Sequence, residues 1–323
     1  MKGTKLRVAK TPDPDENTAV VRCLVVALTL LLAPAAHSVV IDTATGNGNT
    51  NAPADDPGWL NIGFLGVGTG IYLGEGWVLT ASHVGAGTIS LAGISYAPLA
   101  GTTVQLTNNT PGKTTFTDLI MFRLATTPAG LGSLTLASTA PTLGAGLTMI
   151  GAGRDRGNFT EWSVNTSTTP WTWTEVPSGG DAAGYTTLST RSMRWGTNTV
   201  EAQNIWLNVP GSSNIAVDVK TFATTFTDSG SSSDEAQAVF GDSGGAVFSK
   251  NGSAWELGGV MIAVGGFSGQ PAAGETPIYG DATYSADISS YASQIMSIIP
   301  EPSTYALLAF SATALAFACR RKR

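Results

Sequence analysis

The sequence predicts an all-β fold, and three observations support this. Short apolar or alternating runs recur through the middle of the chain, as in the strands of a sandwich or barrel. Gly, Pro, Asn, Thr and Ser separate the runs, and 39 of the 323 residues are Gly. There is no repeat of fixed period and no alternation of strands with helices. The runs are Leu60–Leu73, Gly76–Thr80, Leu119–Leu124, Leu147–Ile150, Ile205–Val209, Ile215–Val219 and Val260–Val264.

Residues 1–38 are predicted to be a secretory signal peptide. A polar, basic start precedes the mostly apolar run Ala19–Ala36, and small residues follow that run, as such a peptide requires. Cleavage near Ser38 satisfies the small-x-small rule through Ala36 and Ser38. A retained membrane anchor is the alternative interpretation. We expect the mature protein to be exported and to begin near Val39.

The other end, residues 300–323, is predicted to be a sorting tail. It begins with Pro-Glu-Pro, continues with the apolar stretch Thr304–Cys319 and ends in four basic residues. The 16 residues of this stretch are few for a spanning helix, which needs about 20, and the basic end should stay cytoplasmic. A buried terminal helix is the alternative. The order of these parts resembles the PEP-CTERM sorting signal of Gram-negative bacteria. The resemblance implies exosortase-type sorting machinery as a partner and membrane contact through the tail.

Composition excludes several classes of protein for the mature domain, residues 39–300. The domain holds 8 basic and 19 acidic residues, a net charge of −11, and no Cys. This excludes a nucleic-acid partner, which requires clustered Lys and Arg, and it excludes disulfides and cysteine-based zinc sites. General disorder is excluded because 42% of the whole chain is hydrophobic and only 12% is charged. The domain therefore depends on core packing for its stability.

Three further segments complete the organisation of this domain. The glycine cluster at 66–70 leads into a strand-like run instead of a helix, so a phosphate-binding loop is rejected there. The Trp residues of 157–233 either pack against their surroundings or form a ligand platform, and packing is favoured because aromatic residues dominate cores. One amphipathic helix is predicted over Asp287–Ile299, which starts at a plausible N-cap and is stopped by Pro300.

The pentapeptide Gly241-Asp242-Ser243-Gly244-Gly245 is the strongest chemical motif. A Ser on a tight turn between glycines exposes its hydroxyl. The N–H groups of Gly241 and Ser243 can then converge on one point, as an oxyanion hole requires. An ordinary glycine turn is the alternative interpretation. The motif therefore predicts a nucleophilic Ser.

A Ser hydroxyl is a poor nucleophile without a base, and His83 is the only His left once the predicted leader is removed. It follows the apolar run Gly76–Thr80 among small residues. Asp118 opens another apolar run, where an unpaired carboxylate is expensive to bury. Asp118 is therefore the candidate that orients the imidazole. The alternatives are a structural His and a solvated loop Asp.

These three blocks resemble those of chymotrypsin- and trypsin-like serine peptidases. The segment before His83 resembles the family's Thr-Ala-Ala-His, and Asp118 with Leu119 resembles its Asp-Leu/Ile-Ala strand. Residues 241–245 are its Gly-Asp-Ser-Gly-Gly. The order His, Asp, Ser along the chain is the chymotrypsin order. The resemblance covers about 54–299.

The resemblance implies two packed six-stranded β-barrels with a C-terminal α-helix. Residues 39–150 would form the first barrel, and 151–299 would form the second barrel and the helix. The implied activity is serine endopeptidase action on polypeptides through His83, Asp118 and Ser243, with the oxyanion hole formed by the N–H groups of residues 241 and 243. The resemblance implies no metal or cofactor.

The chain also departs from the family's pattern. Val84 and Val239 stand where the family has Cys, and the Asp–Ser spacing is long because of the 157–233 region. In animal members a freed N-terminus pairs with the Asp before the nucleophile. Signal cleavage would free Val39 here, and whether Val39 reaches Asp242 is a separate hypothesis.

Specificity is the least determined property. By the family's pattern, Gln237 occupies the base of the primary pocket and Val264 a wall position. Asp234 and Glu235 are close enough for a shift of register to place a carboxylate there. We predict cleavage after uncharged residues of modest size. A silent homologue that binds peptides or matrix components remains an alternative function, as does an esterase-like hydrolase or a structural envelope β-protein.

Overall fold

The computed structural model describes residues 39–43, 45–46, 48–212, 215–228 and 232–299. The predicted signal peptide and the predicted sorting tail lie outside these residues. Within them, no helix is both long enough and apolar enough to span a membrane.

Nineteen strands lie in the described part of the chain. They are β1 (Val40–Thr43), β2 (Ile62–Leu65), β3 (Gly68–Gly74), β4 (Trp77–Ala81), β5 (Ile89–Leu91), β6 (Ile94–Tyr96), β7 (Val104–Thr107), β8 (Phe116–Arg123), β9 (Gly146–Gly151), β10 (Arg154–Asn165), β11 (Thr172–Val176), β12 (Ala182–Arg191), β13 (Arg194–Thr199), β14 (Ala202–Pro210), β15 (Ala216–Thr225), β16 (Ser232–Gln237), β17 (Ala246–Asn251), β18 (Ala254–Gly265) and β19 (Ala282–Asp287).

The strands form two large sheets and one small one. The first sheet has seven strands in the order β6-β5-β2-β3-β4-β8-β7. The second has nine, in the order β1-β16-β13-β9-β17-β18-β19-β15-β14. The all-β prediction is confirmed, but the two main sheets do not have the six strands each that the resemblance implies. In addition, β1 and all of β9 except Gly151 fall in the range expected for the first barrel, but both strands pair into the second sheet.

The third sheet accounts for the long spacing between Asp118 and Ser243. It has three antiparallel strands in the order β11-β10-β12 and comes from residues 154–191. Trp162 is buried in this region, which favours the packing interpretation for that residue. Part of the chain between Asp118 and Ser243 therefore forms a sheet of its own and not an extended loop.

The core lies between the two large sheets. Ile71 and Met121 of the first sheet share a buried cluster with Phe248, Val260 and Ile262 of the second. Buried apolar contacts between the sheets hold them together in the absence of disulfides.

Strand β8 shows why its sequence is a continuous apolar run. Leu119 and Met121 enter the cluster between the sheets, whereas Phe122 packs with Val78 in a second cluster. Successive side chains point to opposite faces of a strand, so a strand covered on both faces reads as apolar throughout.

The α-helix in the described part of the chain is shorter than predicted. The segment starts with a 3-10 turn, Ile288–Ser290, and α1 then spans Ala292–Ile298. The Asp287 carboxylate accepts the N–H of Ser289 at 3.0 Å, so this residue caps the 3-10 turn and not the α-helix. The short C-terminal helix is confirmed, with a later start.

Candidate active site

Asp118 and His83 lie side by side because β4 and β8 are paired. The last pair of this ladder is Ala81 with Leu119, so the residues just beyond it are neighbours. The Ser82 N–H donates to the Asp118 carbonyl at 3.0 Å and continues the strand contact by one step. The register of two adjacent strands therefore places the imidazole against the carboxylate.

The Asp118 carboxylate is fully buried and has three donors. Its Oδ1 accepts the Ser82 hydroxyl at 2.6 Å and the His83 backbone N–H at 3.0 Å. Its Oδ2 lies 2.6 Å from His83 Nδ1. Three donors compensate the loss of water around a buried carboxylate. The contact to Nδ1 leaves the other ring nitrogen, Nε2, as the one for exchange of a proton with a substrate group.

Ser243 lies on a tight turn held at both ends. The Ser243 carbonyl accepts the Thr69 N–H at 2.8 Å, and the Gly244 N–H donates to the Met261 carbonyl at 2.8 Å. A Cβ at Gly244 would collide with the Thr69 carbonyl and with the Thr80 hydroxyl. Gly244 also has a positive φ of 84°, so this position favours glycine on both grounds.

The neighbouring peptide groups leave two N–H groups available on this turn. The Phe240 carbonyl accepts the Arg154 N–H at 2.9 Å, so the Gly241 N–H of the same trans peptide points the opposite way. The Asp242 carbonyl accepts the Gly245 N–H at 2.8 Å, and the same reasoning applies to the Ser243 N–H. Within the described residues, neither N–H has a hydrogen-bond acceptor. The arrangement suits an oxyanion.

The two halves of the candidate site meet at Gly68. A Cβ there would touch both the Val84 side chain, next to His83, and the Ser243 carbonyl. No hydrogen bond joins the Ser243 hydroxyl to the His83 ring in the described part of the chain. The structure thus brings the two segments together, but the Ser243 hydroxyl and the His83 ring are not hydrogen-bonded.

Two cavities open on these residues. The one beside His83 has a volume of about 490 Å³ and the one beside Ser243 about 240 Å³. Both are lined by Ile262 and Ala263 of β18. The remaining lining residues of the smaller cavity are Ala238, Val239, Phe240, Met261, Val264 and Gly274. Most side chains that line the smaller cavity are therefore apolar, and none is charged.

Val264 and Gln237 differ in their relation to this cavity. Val264 lines it, whereas Gln237 is fully buried and is not among its lining residues. The Gln237 amide donates to the Ala282 carbonyl at 3.3 Å, and its oxygen accepts the Thr283 hydroxyl at 3.1 Å. Gln237 thus connects β16 to β19 behind the cavity.

The Asp242 carboxylate is fully buried beneath the turn. It accepts the N–H groups of Gly153 at 2.8 Å and Val239 at 2.9 Å, together with the N–H of Val39. Burial raises the pKa of Asp242 to about 7, although these three N–H groups and the charge of Arg191 act in the opposite direction. Among the described residues, no cationic group lies within ion-pair distance of this carboxylate.

The segment that carries Val39 is tightly held. Strand β1 pairs with β16, with Val40 opposite Gln237. The Asp42 carboxylate accepts the hydroxyls of Tyr185 and Tyr279, each at 2.7 Å. These contacts fix the position of Val39 relative to the nucleophile turn.

The loop 266–280 forms part of the pocket wall and is held by the small sheet, which the sequence did not predict. Its Gly274 carbonyl accepts the Phe240 N–H at 2.7 Å. The rings of Trp171 and Trp173 lie 6.4 and 6.1 Å from that of Phe267. Trp173 Nε1 also donates to the Ser268 carbonyl at 2.9 Å. The alternation of Trp with Thr in β11 is the signal that could have indicated this strand.

A metal site is not apparent in the described residues, since no three His, Cys, Asp or Glu side chains cluster there.

Comparison with known proteins places the chain in a family. The family model for trypsin matches residues 47–289, about three quarters of the chain. One similar solved structure is neuropsin, described as a serine protease expressed in the limbic system of mouse brain. It is 17% identical, with a TM-score of 0.47, and the match covers 78% of this chain and 99% of neuropsin. No curated protein matches by sequence. The family model covers all three blocks around His83, Asp118 and Ser243, and the chain belongs to the trypsin family of serine proteases.

Proposed function

We propose that this protein is an exported serine endopeptidase with His83, Asp118 and Ser243 as its catalytic triad. The observation that carries the proposal is the buried Asp118 carboxylate, 2.6 Å from His83 Nδ1, in the sheet that faces the nucleophile turn. A buried carboxylate with this partner holds the imidazole in the tautomer that acts as a base.

The reaction follows from these positions. His83 Nε2 takes the proton of the Ser243 hydroxyl as its oxygen attacks the peptide carbonyl. The N–H groups of Gly241 and Ser243 stabilise the oxygen of the tetrahedral intermediate. His83 then gives the proton to the leaving amine, and an acyl-enzyme remains on Ser243. Water, activated by the same imidazole, releases the acyl group. Asp118 stabilises the imidazolium without taking the proton.

The primary specificity follows from the cavity beside Ser243. Its volume of about 240 Å³ and its uncharged, mostly apolar lining side chains suit an uncharged side chain of modest size. A panel of peptides that vary at the residue before the cleaved bond tests this. Preference for Ala, Val or Leu is expected, and a strong preference for Arg or Lys would refute it.

Activation of the enzyme is proposed to coincide with signal cleavage before Val39. The Val39 N–H already donates to the buried Asp242 carboxylate, so cleavage would place an ammonium group at that point. A cation beside a buried carboxylate stabilises the charged form. Two extra Gly residues before Val39 should reduce activity by about tenfold or more, since breaking a buried pair costs about 3–5 kcal/mol. Unchanged activity would sink this proposal.

Export and sorting rest on the sequence of the two ends. The leader up to Ser38 would direct secretion, and the tail from Pro300 would contact the membrane and the exosortase-type machinery. Mass spectrometry of the protein from its native envelope gives both termini. A mature chain that keeps the apolar leader would contradict the proposed processing.

Labelling with a fluorophosphonate tests the proposed activity most directly. The probe is added to the full chain and to a chain that starts at Val39, and the modified peptide is mapped by mass spectrometry. We expect a label on Ser243 that disappears in Ser243→Ala and His83→Ala. Ser253→Ala, at an exposed turn, is the matched control and should label like the parent.

A catalytically silent homologue is the second candidate, because the Ser243 hydroxyl has no hydrogen bond to His83 in the described residues. Such contacts are often long in free enzymes and tighten with substrate. A folded, processed chain that takes no label would support the silent homologue. Labelling combined with cleavage of small esters but not peptides would indicate an esterase.

A further inference from the structure

Arg191 ends β12 of the small sheet, and its guanidinium joins two segments that are distant along the chain. Its Nε donates to the Ala152 carbonyl at 2.8 Å. Its Nη1 donates to the Gly66 carbonyl at 2.8 Å, and its Nη2 to the Gly68 carbonyl at 2.7 Å. Gly66 lies in the turn between β2 and β3 of the first sheet, and Gly68 is the first residue of β3. Ala152 follows β9 of the second.

The same guanidinium reaches the nucleophile turn. Its Nη2 also lies 3.4 Å from the Gly241 carbonyl, which accepts the Thr69 hydroxyl at 2.9 Å. A Cβ at Gly241 would lie 2.9 Å from Arg191 Nε, so the turn packs directly on the guanidinium. Gly241 has a positive φ of 99°, a conformation that its surroundings must hold.

We propose that Arg191 is a positioning residue for the oxyanion hole, through its contacts to Gly241 and to the first sheet. The inference rests on the proposed function and extends it. A guanidinium has five donors in a rigid plane, so one side chain can bind carbonyls from several segments at once. It therefore fixes the Gly241 N–H relative to the sheet that carries His83.

The charge of Arg191 supports the same role. Burial lowers the pKa of Arg191, whereas the nearby Asp242 carboxylate raises it. An arginine so placed stays protonated at neutral pH. Its positive charge lies beside the Gly241 carbonyl, on the peptide that follows the one whose N–H faces the developing oxyanion, and there it favours negative charge.

Replacement of Arg191 tests the proposal in the processed protein expressed from the full chain. Arg191→Met removes every donor, and Arg191→Lys keeps the charge but not the planar set of donors. We expect Arg191→Met to lower kcat by about 10²-fold, the effect of losing one oxyanion donor, with KM changed by less than about threefold. Arg191→Lys should recover only part of this loss.

A peptide aldehyde separates positioning from general damage to the structure. It forms a tetrahedral adduct with Ser243 whose oxygen occupies the oxyanion hole, and its affinity should fall by the same factor as kcat. Thr69→Val removes the other donor to the Gly241 carbonyl with little change in shape. This variant should also lower both kcat and aldehyde affinity. It tests the proposal if the Arg191 variants fail to fold. Arg123→Met, in β8 at the end away from Asp118, is the control and should behave like the parent.

The outcomes distinguish this inference from the proposed function. A parent protein that neither labels nor cleaves peptides defeats the proposed function. The position of the Gly241 N–H in a crystal structure of Arg191→Met then decides the inference, and an unchanged N–H overturns it. An active parent whose Arg191→Met variant keeps kcat and aldehyde affinity within about twofold also overturns it. An Arg191→Met variant in which only KM rises, or only Tm falls, overturns the inference as well.

Discussion

The two halves of the proposed active site are built in different ways. The half that contains His83 and Asp118 is held by contacts between two adjacent strands, and its donors come from Ser82 and His83 themselves. The half that contains Ser243 is held by residues from distant parts of the chain, among them Thr69 and Gly153. The first half therefore forms when its sheet forms. The second requires the N-terminal segment and the small sheet to be in place.

This difference indicates where regulation can act. A turn that depends on remote contacts can be ordered or disordered without disturbing the His–Asp pair. Changes within β4 and β8 should abolish the chemistry directly. Changes at Val39 or in the small sheet should act on the nucleophile turn and on the pocket.

The largest expected effect comes from Asp118→Asn, which changes the half of the site that contains His83 and Asp118. Loss of the charge and of the Nδ1 acceptor should lower kcat by about 10⁴-fold, as expected when the imidazole takes the wrong tautomer. Steady-state kinetics with a peptide ester measure this, and Asp181→Asn on the small sheet is the matched control. Near-normal activity in Asp118→Asn would show that another group orients His83.

The next effect is on the pH dependence of stability, and it tests the contact between Val39 and Asp242. Burial raises the pKa of Asp242 to about 7 in the chain that continues before Val39. A carboxyl group with a raised pKa in the folded state gives stability at low pH that is lost as pH rises through that pKa. The Tm of a chain extended before Val39 should therefore fall between about pH 4 and pH 7.

A chain that starts at Val39 should lose less stability over the same range, since its ammonium group favours the charged carboxylate. Burial raises the pKa of Asp281 to about 7 as well, but this group is present in both chains and cancels in the comparison. If the Tm of both chains falls by the same amount over this pH range, the proposed contact between the Val39 ammonium group and Asp242 is contradicted.

A smaller effect is expected from the small sheet. Trp173→Ala removes the ring contact to Phe267 and the hydrogen bond to the Ser268 carbonyl, and so loosens the loop that carries Gly274. We expect KM to rise by about threefold to tenfold, with kcat less affected, because the change touches uniform binding. Trp255→Ala, outside this loop, is the control. A fall in kcat at constant KM would mean that the small sheet acts on the chemistry.

The last effect concerns the size of the pocket and is a change in the ratio of two substrates, not a loss of activity. Val264→Ala enlarges the cavity beside Ser243 by two methyl groups, each worth on the order of 1 kcal/mol in contact with an apolar group. Preference should shift by about tenfold towards larger apolar residues before the cleaved bond. Competition between two peptides in one reaction measures the shift. An unchanged ratio would show that Val264 does not limit the pocket.

The sequence was sufficient to locate the residues of the proposed triad and the turn, because short apolar strands and a glycine-flanked Ser carry local signals. The strand pairing that joins His83 to Asp118 also agrees with two apolar runs read from the sequence. The role of Arg191 could not be predicted, since its acceptors are backbone carbonyls and any residue supplies those. Gln237 illustrates the same limit, because family spacing gives its position along the chain but not its partners.

Because β1 lies just after the proposed signal cleavage site, cleavage at a wrong position would change the edge of the sheet. β1 forms one edge of the nine-stranded sheet, and on its other side β16 pairs with β13 at a single position, Thr197 with Glu235. A cut after Thr43 in place of Ser38 would remove β1 and leave β16 as a nearly bare edge. Exposed edges recruit strands from other molecules. Misprocessed chains should therefore self-associate and be visible as oligomers, so that the proposed cleavage, when it is accurate, protects the protein from aggregation.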